Sequence, residues 1–267
     1  MNKTQIISVI NQKGGVGKTT TVINLAAGLV QENKKILVID LDPQGNATTG
    51  VGLSNLDNSS ETIYGVLNGT KNITEVIKKT QFENLELITS NVDLSGLEIE
   101  TAGDSKRAFI LKDQLMAYLR DSGAKYDYIL IDCPPSLSLL TIMALVASDE
   151  LVVPLQTEFF ALEGLTQLMK TIDRIKSNLN ATLNIRGILL TMYDKRNRLS
   201  GEVEKEAREY FKDIVYQTIV PRNVRLSEAP SHGVPVLIYD KVCPGSKSYF
   251  SFTEEFLNQD KTMESAA

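Results

Sequence analysis

Apolar positions along this chain come in two spacings that take turns. Short apolar runs occur at Ile6–Ile10, Lys35–Asp40 (K-I-L-V-I-D), Leu85–Thr89 (L-E-L-I-T), Tyr126–Asp132 (Y-D-Y-I-L-I-D), Glu150–Leu155, Ile185–Met192 and Ile214–Val220. Runs of that length with little polar alternation predict strands buried on both faces. Between them apolar residues recur at helical spacing. Val22, Ile23, Leu25, Ala26, Leu29 and Val30 predict a helix over Thr19–Glu32, ended by Asn33. Ala108, Leu111, Leu115 and Leu119 predict another over Lys106–Arg120. Leu162, Leu165, Leu168, Ile172, Ile175 and Leu179 mark a long one. Further helices are expected at Ser138–Ala147, Ser200–Phe211 and Ser246–Leu257, with short ones at Thr62–Leu67, Ile73–Lys78 and Arg225–Ala229. Leu53–Glu61, rich in Asn, Ser and Asp, reads as a loop, and Ser90–Ser105 fits neither period.

Strands alternating with helices predict the α/β class, a mostly parallel twisted sheet with helices on both faces. Crossovers are expected to be right-handed, with ligands at the carboxyl ends of the strands. No internal repeat or linker divides the chain, so residues 1–267 are expected to form one domain, with 258–267 as a flexible tail.

Composition narrows the setting. Hydrophobic content of 42% and charged content of 23% suit a globular domain, and no apolar run is long enough to span a membrane. The opening M-N-K-T-Q enters the first strand at once, leaving no room for a signal peptide, and the two cysteines, Cys133 and Cys243, cannot build a disulfide framework. A cytoplasmic location is therefore expected. A net charge of −5 argues against a globally basic nucleic-acid binder but leaves room for a local basic patch.

The first strand runs into N-Q-K-G-G-V-G-K-T-T, residues 11–20, and then into a helix. Gly14, Gly15 and Gly17 can take backbone angles closed to other residues and leave room for a close ligand. Successive N–H groups in such a turn form an anion nest, and the helix N-terminus adds partial positive charge. Lys18 offers an ammonium to phosphate oxygens and Thr19 a hydroxyl to Mg²⁺. The general phosphate-loop pattern wants glycine at position 12, where Gln12 stands; a second lysine, Lys13, precedes the glycines.

Two other strand tips carry acids. Asp132 follows Tyr128–Ile131, as an acid does that holds Mg²⁺ through water. D-L-D-P-Q-G-N, Asp40–Asn46, sets two carboxylates at one tip, where one could orient an attacking water or bind metal. The same residues could instead serve a helix cap and a turn.

Lys13–Thr20, Asp40–Asn46 and I-L-I-D-C-P-P at Ile129–Pro135 together resemble the deviant Walker ATPases of the ParA/MinD superfamily. P-R-N-V-R-L-S-E-A-P-S-H-G at Pro221–Gly233 is similar to the ParA/Soj branch, in its short form without an extra N-terminal DNA-binding domain. The resemblance spans nearly the whole chain. It implies a P-loop NTPase domain that hydrolyses ATP slowly and uses ATP and Mg²⁺. The nucleotide would be bound by Lys13, Gly14, Gly15, Val16, Gly17, Lys18, Thr19 and Thr20, with Pro221 and Asn223 lining the adenine. Lys13 would cross a dimer interface to the partner's nucleotide, as an arginine finger does in trans. With Lys18 and Asp42 it would make up the catalytic set, Asp42 positioning water. Thr19, Asp42 and Asp132 would form the metal site.

Arg196 and Arg225 match positions that contact DNA without base preference. They lie in two clusters, Lys195–Arg196–Arg198 and Arg222–Arg225. The implied function is ATP-dependent chromosome or plasmid partitioning by a nucleoid-associated homodimer that a ParB/Spo0J-type partner stimulates.

A MinD-like membrane ATPase, or positioning of another cargo, is the alternative. The tail after Phe252 is acidic and sparsely apolar, against the basic amphipathic helix a MinD-like protein needs, so no membrane partner is expected. An iron–sulfur electron carrier would require two suitably placed cysteines per subunit, and Cys243 lies far from Cys133. His232, the only histidine, has no acid–nucleophile pair in evident reach.

Overall fold

A computed structural model of the protein describes residues 3–53, 59–122 and 125–266. Each of the seven apolar runs becomes a strand of one sheet, and Ile77–Lys79 adds an eighth: β1 (Gln5–Val9), β2 (Ile36–Asp40), β3 (Ile77–Lys79), β4 (Leu85–Ile88), β5 (Tyr128–Asp132), β6 (Glu150–Gln156), β7 (Asn184–Tyr193) and β8 (Val215–Pro221). Their order is β3-β4-β2-β5-β1-β6-β7-β8, parallel throughout except for the antiparallel β3–β4 pair.

Alternate residues of each strand serve opposite layers. Ile7, Val9, Ile36, Val38 and Leu130 face a core shared with α1 (Lys18–Gln31) and the C-terminal helix. On the other face Leu37, Ile39, Ile129 and Ile131 pack under short helices and the helices Ile110–Ser122 and Leu139–Ala147. Leu151, Val153, Ile188 and Leu190 pack under α2 (Ala161–Asn178) and α3 (Arg198–Phe211). Burial on both faces is why these strands read as continuous apolar runs. Asn33, at φ 59°, closes α1 in the left-handed conformation that asparagine tolerates.

Two expectations change. The helix expected over Ile73–Lys78 stops at Val76, and Ile77–Lys79 instead pairs with β4 as the sheet edge. The half-exposed Ile77 and the lysines after it suit an edge strand, where charge discourages further pairing. The tail expected from residue 258 instead continues the last helix, α4 (Pro244–Ala266). Arg186 of β7 explains this: its buried guanidinium pairs with Glu150 and Asp260 and lies 3.8 Å from the centre of the Phe256 ring. An anchor so placed is invisible to local periodicity. Of the loop expected at Leu53–Glu61, residues 54–58 lie outside the described residues.

At the other edge, β8 is shielded by side chains. The Arg208 guanidinium donates to the carbonyls of Tyr216 and Gln217, and the amides of Gln217 and Thr218 donate to the Glu255 carboxylate. The backbone that could recruit another strand is thereby occupied.

Candidate nucleotide site

The central parallel strands point their carboxyl ends at the loop between β1 and α1. Gly15 (φ 75°) and Gly17 (φ 91°) take left-handed conformations, and Gly17 caps α1. Only glycine adopts these angles without strain, and the turn they create aims backbone N–H groups into one concavity. The loop is pinned from three sides. Asn11 donates to the Pro154 carbonyl (2.7 Å) and accepts from the Lys13 amide (3.0 Å). Thr191 donates to the Val16 carbonyl (2.9 Å), and Val16 is buried. The Lys18 ammonium curls back to the Lys13 carbonyl (3.1 Å). Burial lowers the Lys18 pKa, while Asp132, Cys133 and Asp42 pull it back up.

The three acids separate into distinct roles. Asp132 is wholly buried; its Oδ2 accepts from the Thr19 hydroxyl (2.7 Å) and its Oδ1 has no hydrogen-bond partner. Burial first, then the charge of Asp40, raises its pKa well above the usual carboxylate value. Asp40 sits beside it in the β2–β5 register but turns away, accepting from the Thr48 amide (2.8 Å) and hydroxyl (2.7 Å). Thr48 lies in the short helix Asn46–Gly50, so Asp40 behaves as a remote cap for it. Burial raises Asp40 to about 6 despite these hydrogen bonds. Asp42, 7% exposed, accepts from the Gln44 amide (3.0 Å) in a tight turn.

An unpartnered buried carboxylate oxygen beside a threonine hydroxyl suits a hydrated divalent cation completed by phosphate oxygens. Thr19 and Asp132 could hold it. Among the described residues no group of three or more His, Cys, Asp or Glu is placed to hold a metal ion.

Pro221 and Asn223 lie on the wall of a cavity of about 240 Å³ that also includes Gly17, Thr20, Met192 and Tyr249. Asn223 accepts from the Arg225 amide (3.1 Å), capping the short helix Val224–Glu228. The slot therefore opens directly beside the phosphate loop.

Lys13 is half exposed, its ammonium paired with Glu158 in the loop after β6. The two basic clusters also meet, because the Arg222 amide donates to the Tyr193 carbonyl (3.0 Å) across β7 and β8. Arg196 and Arg225 are exposed, but neither is free. Arg196 is forked onto Asp194, whose pKa falls to about 2. Arg225 pairs with Glu228 (2.7 Å) and Asp240 (3.4 Å). Lys195 and Arg222 are exposed, and no ion pair holds them among the described residues.

Four supporting residues escaped the sequence reading: Thr48, Thr191, Asn11 and Glu158. Asn11 alone had a local signal, since its side chain folds onto the amide two residues ahead. The other three act across 8 to 175 residues of chain and leave no trace in spacing.

Comparison with known proteins covers the whole chain. A family model described as an AAA domain matches residues 4–185. The chain is 48% identical over 266 residues to the chromosome partitioning protein ParA of Caulobacter vibrioides, covering 100% of this chain and 98% of that one. It is 48% identical over 251 residues to the sporulation initiation inhibitor protein Soj of Bacillus subtilis, covering 94% and 97% of the two chains. Cobyrinic acid a,c-diamide synthase from Mycobacterium smegmatis, solved with an ATP analog and magnesium, shares the fold. The TM-score is 0.82 at 31% identity, over 97% and 96% of the two chains.

Proposed function

The chain belongs to the ParA/Soj family of chromosome-partitioning ATPases, and on that premise we propose that it partitions DNA through a nucleotide-controlled dimer. Its substrate is ATP and its cofactor Mg²⁺. The observation that carries this reading is the pinned Lys13–Thr20 loop, with Thr19 hydrogen-bonded to a buried Asp132 that keeps one oxygen unpartnered.

In this reading, Gly14–Thr20 cradle the phosphates through backbone N–H groups and the α1 N-terminus. Lys18 leaves the Lys13 carbonyl for phosphate oxygens, and its buried position strengthens the charge it brings. Thr19 and Asp132 hold Mg²⁺, which offsets the negative charge on the phosphates. Asp42 orients the attacking water, while Asp40, committed to Thr48, keeps the loop around Asp42 in shape. Pro221 and Asn223 border the adenine. Lys13 exchanges Glu158 for the nucleotide of a second copy, which makes ATP the signal for dimerisation. The basic loops of two protomers then act as one surface for DNA backbone, without base preference, and the dimer is nucleoid-associated. A ParB/Spo0J-type partner stimulates the slow intrinsic hydrolysis and releases the dimer.

Light scattering with ATP tests the trans role. Lys13→Ala should bind ATP but remain monomeric, whereas Asp42→Ala should bind ATP and stay dimeric because hydrolysis stalls. Normal ATP-dependent dimerisation of Lys13→Ala refutes the assignment.

A further inference from the structure

The first turns of α2 and the last turns of α3 line a groove of about 440 Å³, with Leu162, Glu163, Glu206, Glu209, Tyr210 and Phe211 among its walls. Leu162 and Phe211 are half-buried and form an apolar floor. Tyr210 stands 75% exposed, its ring edge-on to Phe211 with centroids 5.0 Å apart. An aromatic ring this exposed, with a hydroxyl at its tip, is the kind of side chain interfaces enlist.

Three carboxylates surround the floor, and they differ from their neighbours. Glu202 and Glu204, on the same helix, are neutralised by Arg198 (2.8 Å) and Arg208 (3.1 Å). Glu163 and Glu206 have no ion-pair partner among the described residues, and Glu209 meets Lys205 only at 3.7 Å. Every charged residue on the groove wall is an acid, although Asp173 further along α2 is also without an ion pair among the described residues. α3 runs from Arg198, beside the basic loop, to the groove.

We propose that this groove docks a short amphipathic segment of a partner protein, with Lys or Arg flanking apolar residues. Apolar side chains would fill the floor beside Tyr210, and the cations would meet Glu163, Glu206 and Glu209 at the rim. The charge excludes nucleic acid, whose phosphates these carboxylates repel. A second copy of this chain would bring a net charge of −5 to an acidic rim, and the loops that carry Lys195 and Arg222 also carry the carboxylates that hold Arg196 and Arg225. The floor is open and shallow, which suits a chain segment laid along two helices rather than an enclosed small molecule. Nothing in this inference depends on nucleotide binding.

The test uses nucleotide-free protein and a fluorescein-labelled synthetic peptide of leucine and lysine, with leucines at helical spacing, read by anisotropy. Binding is expected, weakening as salt rises. The triple variant Glu163→Gln, Glu206→Gln, Glu209→Gln should bind at least about tenfold more weakly, and Tyr210→Ala should also lose affinity. All these positions are exposed, and thermal melts followed by circular dichroism confirm folding. A control variant, Glu32→Gln, Glu98→Gln, Glu254→Gln, removes as many exposed acids elsewhere and should bind as wild type does. No binding by the wild type, unchanged affinity in the groove variant, or an equal loss in the control overturns the proposal.

Discussion

Under the proposed function, Arg225→Glu should separate DNA binding from nucleotide binding. Arg225 is exposed at the start of a short helix, bridging Glu228 and Asp240. Reversing its charge gathers three carboxylates at one point on the surface and, in the proposed DNA complex, should remove one phosphate contact per protomer, two per dimer. Each contact contributes about −0.9 to the slope of log affinity against log salt, so the slope should become shallower by about 1.8. Across a fourfold rise in salt, wild-type affinity should therefore fall about 12-fold further than that of the variant. Absolute affinity should also drop, because Glu228 and Asp240 lose their cation and repel the DNA backbone. In the proposed complex Lys195 and Arg222, exposed and without an ion pair among the described residues, should carry the contacts that remain. The assay is retention of labelled duplex DNA by the ATP-bound protein over a salt series, with fluorescent-nucleotide binding measured alongside. Arg225 lies two residues beyond Asn223, whose side chain caps the backbone amide of Arg225 rather than contacting its guanidinium, so nucleotide affinity should hold. Salt plots with equal slopes would show that Arg225 touches no phosphate. Loss of ATP binding would show that the two sites are not separable as argued.

Two further substitutions test the interior. Asp132→Asn keeps an acceptor for Thr19 but removes a buried charge, and should stabilise the nucleotide-free protein by about 2 kcal/mol in urea melts near neutral pH. The sign follows from the raised pKa of Asp132: its neutral form is favoured on folding, so wild type loses stability as pH climbs from the ordinary Asp range through the raised value. The advantage of the variant should therefore grow with pH, and Mg²⁺-dependent ATP binding should be lost. A destabilised Asp132→Asn protein near neutral pH would contradict the buried-charge account. In Gly187→Ala, an added Cβ would lie 2.4 Å from the Tyr216 ring, so overpacking should cost about 1–3 kcal/mol, measurable as a lower Tm. An unchanged Tm would mean that β7 and β8 can part freely.

The sequence by itself determined the class of fold, the phosphate loop and the family. Strand runs, helical stripes and the glycines at 15 and 17 each depend on residues within a few positions of one another, so spacing reports them. Asn33, at the end of α1, was legible for the same reason, whereas the capping role of Asn223 appeared only in the structure. Tertiary structure decided whatever joins distant segments. It assigned the two acids of D-L-D to different tasks, because Thr48 captures Asp40 and leaves Asp42 at the turn. It carried α4 past residue 258, because Arg186 from β7 reaches Asp260. It made Ile77–Lys79 a strand only because β4 lies alongside. It also paired Lys13 with Glu158 and gathered Glu163, Glu206 and Glu209 around one apolar floor. Backbone preference is local and can be read along the chain, whereas burial and charge pairing depend on which segments the sheet order brings together.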